Sequence, residues 1–164
     1  MDYSIEPLDP SHWKRVRQIY LEGIETGNAN FETLAPDWSQ WDAAHLSFGR
    51  LAACAGIEVL GWAALSPVSN RHCYRGVAEV SVYVRVRRTG QGVGQTLLRS
   101  LIEASEENGI WTLQAGIFPE NMPSLTMVKK CGFREIGVRE RPAQLEGVWR
   151  DVILLERRST TVGI

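Results

Sequence analysis

One stretch constrains the fold more than any other: Val82-Tyr83-Val84-Arg85-Val86-Arg87-Arg88-Thr89-Gly90-Gln91-Gly92-Val93-Gly94-Gln95-Thr96-Leu97-Leu98. An apolar β-type segment runs into a basic, glycine-spaced loop, and the loop opens an amphipathic helix. Glycines let a backbone approach a ligand closely, and the first turn of a helix leaves N–H groups without partners. Together they make a seat for a phosphate or pyrophosphate. A P-loop needs Lys-Ser or Lys-Thr after its last glycine, and here Gln95-Thr96 follows Gly94. The dinucleotide fingerprint spaces its glycines G-x-G-x-x-G near the start of a βαβ unit; here they run G-x-G-x-G behind a long N-terminal region. The other reading is a tight strand-to-helix turn with no ligand.

The flanking segments alternate between strand and helix. Asp9-Pro10 reads as a helix start, an acidic cap followed by proline at the first helical position. Trp13, Val16, Tyr20 and Ile24 follow at three- and four-residue spacing, and Gly27-Asn28 ends the helix. A second helix is predicted from Pro36-Asp37, carrying Trp38, Trp41, His45 and Phe48 on one side. Residues 51–55 and 59–65 read as strands around a turn at Gly56-Ile57-Glu58. Residues 79–84 form the strand before the glycine loop. The helix after the loop buries Leu97, Leu98, Leu101 and Ile102 and stops at Asn108-Gly109. Residues 111–118 alternate as a strand, 123–131 form a short helix ending at Gly132, and 133–139 and 148–155 are strands. Short turns mixed with helical crossovers predict a mixed α/β sheet.

At 164 residues the chain reads as one domain, 1–164. Its net charge of −1 argues against a general nucleic-acid binder. No apolar run is long enough to span a bilayer, and the N-terminus shows no signal-peptide pattern, so a cytoplasmic location is expected. Cys54, Cys73 and Cys131 are odd in number and far apart, which fits reduced thiols. Three histidines without a Cys/His cluster give no expectation of a metal.

Three features around the loop favour an anionic ligand. Arg85, Arg87 and Arg88 put positive charge beside the helix N-terminus. Asn121 and Ser124 lie just after the next strand, and the segment ends in Lys130-Cys131-Gly132-Phe133. This order resembles the GNAT-type N-acetyltransferases, whose signature is [Gln/Arg]-x-x-G-x-[Gly/Ala] after a strand, then an Asn-x-x-Ser/Ala helix ending in Gly-Phe. Thr89-Gly90-Gln91-Gly92-Val93-Gly94 supplies the first part; Asn121-Met122-Pro123-Ser124 and Gly132-Phe133 supply the second. Thr89 stands where the family usually has Gln or Arg, with Arg88 as a partial substitute. Further segments resemble the phosphinothricin/methionine sulfoximine N-acetyltransferase family. They are Asn30-Phe31-Glu32-Thr33, Trp38 through Trp41, Gly61-Trp62-Ala63-Ala64-Leu65-Ser66-Pro67, Tyr74-Arg75-Gly76, Glu79 through Val84 and Gly147-Val148-Trp149-Arg150-Asp151-Val152. The likeness spans about residues 3–158. It implies an α+β fold, a mixed, mostly antiparallel twisted sheet flanked by helices. It also implies acetyl-CoA as cosubstrate, the α-amino group of a small amino acid or analogue as acceptor, and a homodimer; the other readings are a non-catalytic acyl-CoA-binding regulatory module and an acetyltransferase for a peptide amine.

The resemblance assigns roles residue by residue. The amides of Gly90, Gln91, Gly92, Val93, Gly94 and Gln95, after Thr89, would hold the pyrophosphate. The edge of Val82, Tyr83 and Val84, splayed from Ile117, would pair with the peptide-like pantetheine arm, with an N–H near Val82 as oxyanion donor. Asn121 would bond the arm and Ser124 the phosphate end; Asn121 equally reads as a helix N-cap. Glu79 matches the catalytic glutamate, and a partly buried carboxylate can be raised toward neutrality to act as general base. Its other reading is a solvated strand-end acid. Arg71 and Arg75 are candidates for a substrate carboxylate or phosphinate, because arginine binds oxyanions bidentately. Phe31 lines the amino-acid pocket or packs in the core. The side chain of Tyr83 faces the pocket or is structural, and Trp149 reads as core. Two departures stand out. Val128 lies where many relatives carry a Tyr or His acid, and Gln144 lies where related sequences often have Lys.

Overall fold

The computed structural model describes residues 2–164. The chain opens with β1 (Ser4–Pro7), α1 (Trp13–Glu25), α2 (Trp38–Ala44), β2 (Leu51–Ala55) and β3 (Glu58–Pro67). It continues with β4 (Val77–Val84), α3 (Val93–Glu107), β5 (Thr112–Ile117), α4 (Met122–Lys130), β6 (Arg134–Leu145) and β7 (Val148–Arg158). The strands form one seven-stranded sheet in the order β1-β2-β3-β4-β5-β7-β6. Every neighbouring pair is antiparallel except β4 and β5, which are parallel and joined through α3. The expected mixed, mostly antiparallel sheet flanked by helices is the observed one.

Each face of the sheet carries its own core. Leu60, Ala63 and Leu65 of β3 pack with Leu97, Leu98 and Leu101 of α3 and with Leu125 and Val128 of α4. Val59, Trp62 and Ala64 pack on the other face with Val16 and Ile19 of α1 and Trp41 of α2. A strand buried on both faces reads as a near-continuous apolar run, as residues 59–65 do. Trp62 and Trp41 are almost fully buried. Burying a large apolar side chain contributes about 1.5–3 kcal/mol, so this pair anchors α1 and α2 to the sheet.

Several boundaries differ from expectation. Asp9 caps a 3-10 turn, Pro10–His12, through its side chain on Ser11 N–H, and α1 proper starts at Trp13. The second helix stops at Ala44 and does not reach His45 or Phe48. Leu46 N–H donates to Leu65 O, which draws the chain out of the helix toward β3; His45 turns back and stacks on Trp41. β4 begins at Val77, so Glu79 is its third residue rather than its first. Trp149 is not core: it is 54% exposed on the outer hairpin, because β6 covers only the edge of β7 and, among the described residues, no helix packs substantially on that hairpin.

Candidate active site

The site is built where β4 and β5 part. Their parallel register covers Val77, Ala78 and Glu79 against Thr112, Leu113 and Gln114, and stops there. On its other side β4 stays paired with β3 as far as Gly61 against Val84. Backbone parity then says which groups face the gap. Arg85 N–H donates to Leu60 O, so along this unbroken antiparallel register Tyr83, Ser81 and Glu79 bond to β3. Val82 and Val84 therefore direct their backbone groups toward β5, which has splayed away. That leaves a strand edge open to an extended, peptide-like ligand.

The glycine loop sits at the end of this edge. Gly90 and Gly92 adopt φ +74 and +82, a left-handed conformation, and both have open space where a Cβ would project. No side chain caps α3 at Gly92, and Thr96 N–H bonds back to Gly92 O. The amides of Val93, Gly94 and Gln95 thus precede the first intrahelical bond. Gly94 lets α3 approach α4 and β4 closely: a Cβ there would meet Met127 Sδ at 2.9 Å and Val84 Cγ2 at 3.3 Å, so the Met127 side chain would have to move. Thr89 donates its hydroxyl to Val86 O at 2.9 Å, closing the 3-10 turn Val86–Arg88.

The three arginines ahead of the loop are differently placed from expectation. Arg87 and Arg88 pair with Glu58 at 2.5 and 3.2 Å, and Arg85 pairs with Glu22 at 3.4 Å. Residual desolvation pushes the Glu58 carboxyl up, but the hydrogen bonds from Arg88 and Arg87 outweigh it and hold it below its ordinary value. The basic run therefore braces the loop against the β2–β3 turn and α1. The loop itself offers backbone amides and no free guanidinium from these three arginines.

Glu79, Ser81 and Tyr83 share the face toward α1. Glu79 is half-buried; Gln114 Nε2 lies 3.4 Å from its Oε1, and a Cβ on Gly116 would stand 3.8 Å from that oxygen. Tyr83 stacks between Trp62 and Tyr20 with ring centroids at 4.8 and 5.2 Å. Its hydroxyl accepts from Asn30 Nδ2 at 2.6 Å. Burial, then the Tyr20 neighbour, pushes the Tyr83 hydroxyl up, so it stays neutral at physiological pH. A Cβ on Gly23 would strike its ring at 2.8 Å, so α1 lies directly on it. The Tyr83 side chain is thus structural.

Asn121 realises the N-cap reading: its Oδ1 accepts from Ser124 N–H at 3.3 Å. Its Nδ2 donates to Asn28 O at 3.1 Å and so ties α4 to the loop after α1. Arg150 pins the same loop, donating to Gly27 O and Asn28 Oδ1 at 2.9 Å while lying 4.2 Å over the Phe118 ring. Phe31, in that loop, meets Phe118 edge-on at 4.9 Å. Arg71 and Arg75 are exposed on the β3–β4 connection, over Tyr74 and Trp111. Val128 is 2% exposed and packs in the α3–α4 core, so no hydroxyl or imidazole is offered from that position. Gln144 is exposed on β6 opposite Trp149. Gln114, Asn28 and Arg150 were not expected here. Gln114 could have been found by following the 111–118 alternation onto the Glu79 face; Arg150 carries no local signal.

This arrangement fits a phosphate-bearing acyl thioester on one side of the gap and a carboxylate poised on the other. Residues 13–133 match the acetyltransferase (GNAT) family. The chain belongs to that family, whose members use acetyl-CoA. It is similar to the phosphinothricin N-acetyltransferase of Alcaligenes faecalis, at 35% identity over 149 residues, covering 87% of this chain and 75% of the relative. Among solved structures, the ribosomal-protein-alanine N-acetyltransferase of Brucella melitensis superposes with a TM-score of 0.87 at 28% identity, covering 95% of this chain and 99% of that one. The phosphinothricin acetyltransferase of Sinorhizobium meliloti, solved with acetyl-CoA, superposes with a TM-score of 0.88 at 22% identity, covering 99% and 91%.

Proposed function

We propose that this chain, as a single domain over residues 1–164, transfers the acetyl group of acetyl-CoA to the α-amino group of a small amino acid or analogue. L-phosphinothricin and methionine sulfoximine are the reference acceptors. The observation that carries the proposal is the end of β4–β5 pairing at Glu79–Gln114, with Val82 facing the gap and the glycine loop beyond it. Acetyl-CoA supplies an activated acetyl group as a thioester. The amides of residues 90–95 hold its pyrophosphate, and the Val82–Val84 edge aligns its arm. Asn121 and Ser124 hold the α4 end of the gap. Glu79 takes the ammonium proton, directly or through a water, and the freed amine attacks the thioester carbonyl. The Val82 N–H supports the oxyanion; donors of this kind are worth about 100-fold or more in rate. The new N–C bond forms as the C–S bond breaks; the second amine proton passes to water, and water protonates the departing thiolate. A thiol of pKa about 8.5 is a tolerable leaving group, so the valine at 128 does not block the reaction. Phe31 and the two loop arginines, Arg71 and Arg75, shape the acceptor side.

The 35% identity to a phosphinothricin N-acetyltransferase supports the amino-acid acceptor. The Brucella protein's likeness favours a second reading, a protein N-terminal amine. Measuring thiol release over amino acids, polyamines and peptides separates them: the proposal expects release with phosphinothricin or methionine sulfoximine and none with peptides. Acetyl-CoA binding without release for any small amine overturns it. Homodimerisation and a cytoplasmic location belong to the same proposal. Val138 and Trp149, both exposed and placed by the register on one face of the β6–β7 hairpin, support the dimer. No helix among the described residues is long and apolar enough to cross a membrane.

A further inference from the structure

Toward the N-terminal ends of β4 and β5, the face that carries Glu79 opens into a cleft of about 420 Å³. Val77 stands two residues before Glu79 on the same face, with Thr112 and Gln114 beside them in parallel register. Gln114 forms the neck: it lines the cleft and donates to the Glu79 carboxylate. Val68, Tyr74, Val77 and Trp111 supply apolar wall. The charges inside are already satisfied. Glu156 pairs with Arg134, and the Arg158 guanidinium donates to the carbonyls of Ser159, Val162 and Gly163. The charges with free donors stand beside these walls. Arg71 lies 5.4 Å over Tyr74; Arg75 lies 5.3 Å over Trp111 and gives one Nη1 to His72 O at 3.1 Å.

We infer that this cleft is the acceptor's tail subsite, and that it takes an amine whose tail is an apolar, planar stem ending in an anion. The inference rests on the acetyl-transfer reading for the position of the amine at Glu79. The volume lies within the about 300–1,000 Å³ of ordinary small-molecule sites, which is generous for a glutamate-sized tail. A planar stem gains contact against Trp111, Tyr74 and the two valines. A terminal carboxylate or phosphonate reaches the two guanidiniums, which bind such groups bidentately. Arg71 and Arg75 thus act at the far end of the acceptor and set its length. Gln114 is the point at which an occupied cleft touches the base.

Cys73 provides the test, because it lines the cleft and is exposed. Cys54 is buried and Cys131 half-buried, so N-ethylmaleimide directed at Cys73 plugs the cleft without touching Glu79. Calorimetric binding and thiol release are measured with 4-carboxy-L-phenylalanine, L-phenylalanine and L-alanine, on untreated protein, treated protein and treated C73S. The expected result is a kcat/KM for 4-carboxy-L-phenylalanine about tenfold or more above the other two. Maleimide removes that advantage and spares L-alanine, treated C73S keeps it, and R75Q brings the carboxylated acceptor down to L-phenylalanine. An advantage that survives maleimide, or L-alanine turnover that falls in parallel, overturns the inference. If 4-carboxy-L-phenylalanine binds and maleimide blocks the binding, yet no amine releases thiol, the cleft stands and the acetyl-transfer reading falls.

Discussion

Gly92 and Gly109 lie at the two ends of α3 with nearly the same backbone, φ +82 and +79, and both have open space around a would-be Cβ. Replacing either with alanine forces an L side chain into the left-handed region, at about 1–2 kcal/mol. The stiffer unfolded chain returns about 0.4–1 kcal/mol. Each variant should therefore lose about 1 kcal/mol, or about 2–4 °C in Tm for a chain of this size. Their effects on ligand binding should differ sharply. At Gly92 the methyl enters the space assigned to the pyrophosphate and displaces one charge-assisted amide contact, worth about 1.5–3 kcal/mol. The acetyl-CoA Kd should rise about tenfold to a hundredfold for Gly92→Ala and stay unchanged for Gly109→Ala. Thermal melting and calorimetric titration on both variants make the comparison. Matched stability losses with equal changes in Kd would refute the assignment of the loop as the anion seat.

Three other outcomes follow from the geometry. Tyr83→Phe keeps the ring stack but leaves the Asn30 amide without its acceptor, so denaturant unfolding should show a loss of about 1–2 kcal/mol with kcat little changed; a collapse in kcat would place the hydroxyl in the chemistry. Quantified labelling with a thiol reagent should modify Cys73 first and Cys54 only on unfolding, because desolvation, then the Glu6 neighbour, pushes the Cys54 thiol up to about 12. Glu106 accepts from Arg157 at 2.7 Å and from Thr161 at 2.9 Å, and these bonds, Arg157's first, hold its carboxyl below the ordinary 4.5. A lowered folded value means that this stabilisation is whole above pH 4.5 and is lost as the pH falls through the lower folded value. Protection factors around residues 159–162, taken against the intrinsic exchange rate at each pH, should therefore fall in acid and hold steady between pH 6 and pH 8.

How much of this was legible depended on distance along the chain. The run from Val82 to Leu98 could be read because its strand alternation, its glycines and its helix stripe are all local patterns. Glu79 was legible as a candidate, yet the end of β4–β5 pairing on which its proposed role rests depends on a strand more than 30 residues away. The three arginines looked like ligand-binding charge because their partners, Glu22 and Glu58, lie far off in sequence. His45 kept the helical spacing but not the helix, since a bond from Leu46 to β3 outcompeted another turn. Trp149 was misplaced because a tryptophan in an alternating strand looks the same whether a helix covers it or not. Arg150 stayed invisible for the opposite reason: its bonds to Gly27 and Asn28 exist only once β7 crosses beneath that loop.

Glu79→Gln separates holding the donor from using it, since the amide preserves shape and removes the base. Acceptor-dependent thiol release and acetyl-CoA affinity are measured side by side on the two proteins. A positioned general base contributes about 100- to 10,000-fold, so kcat should fall at least about 100-fold while the acetyl-CoA Kd stays within about twofold. A variant that turns over at the rate of the parent, or one that loses acetyl-CoA binding in step with its activity, would contradict the assignment of Glu79 as the base at the β4–β5 gap.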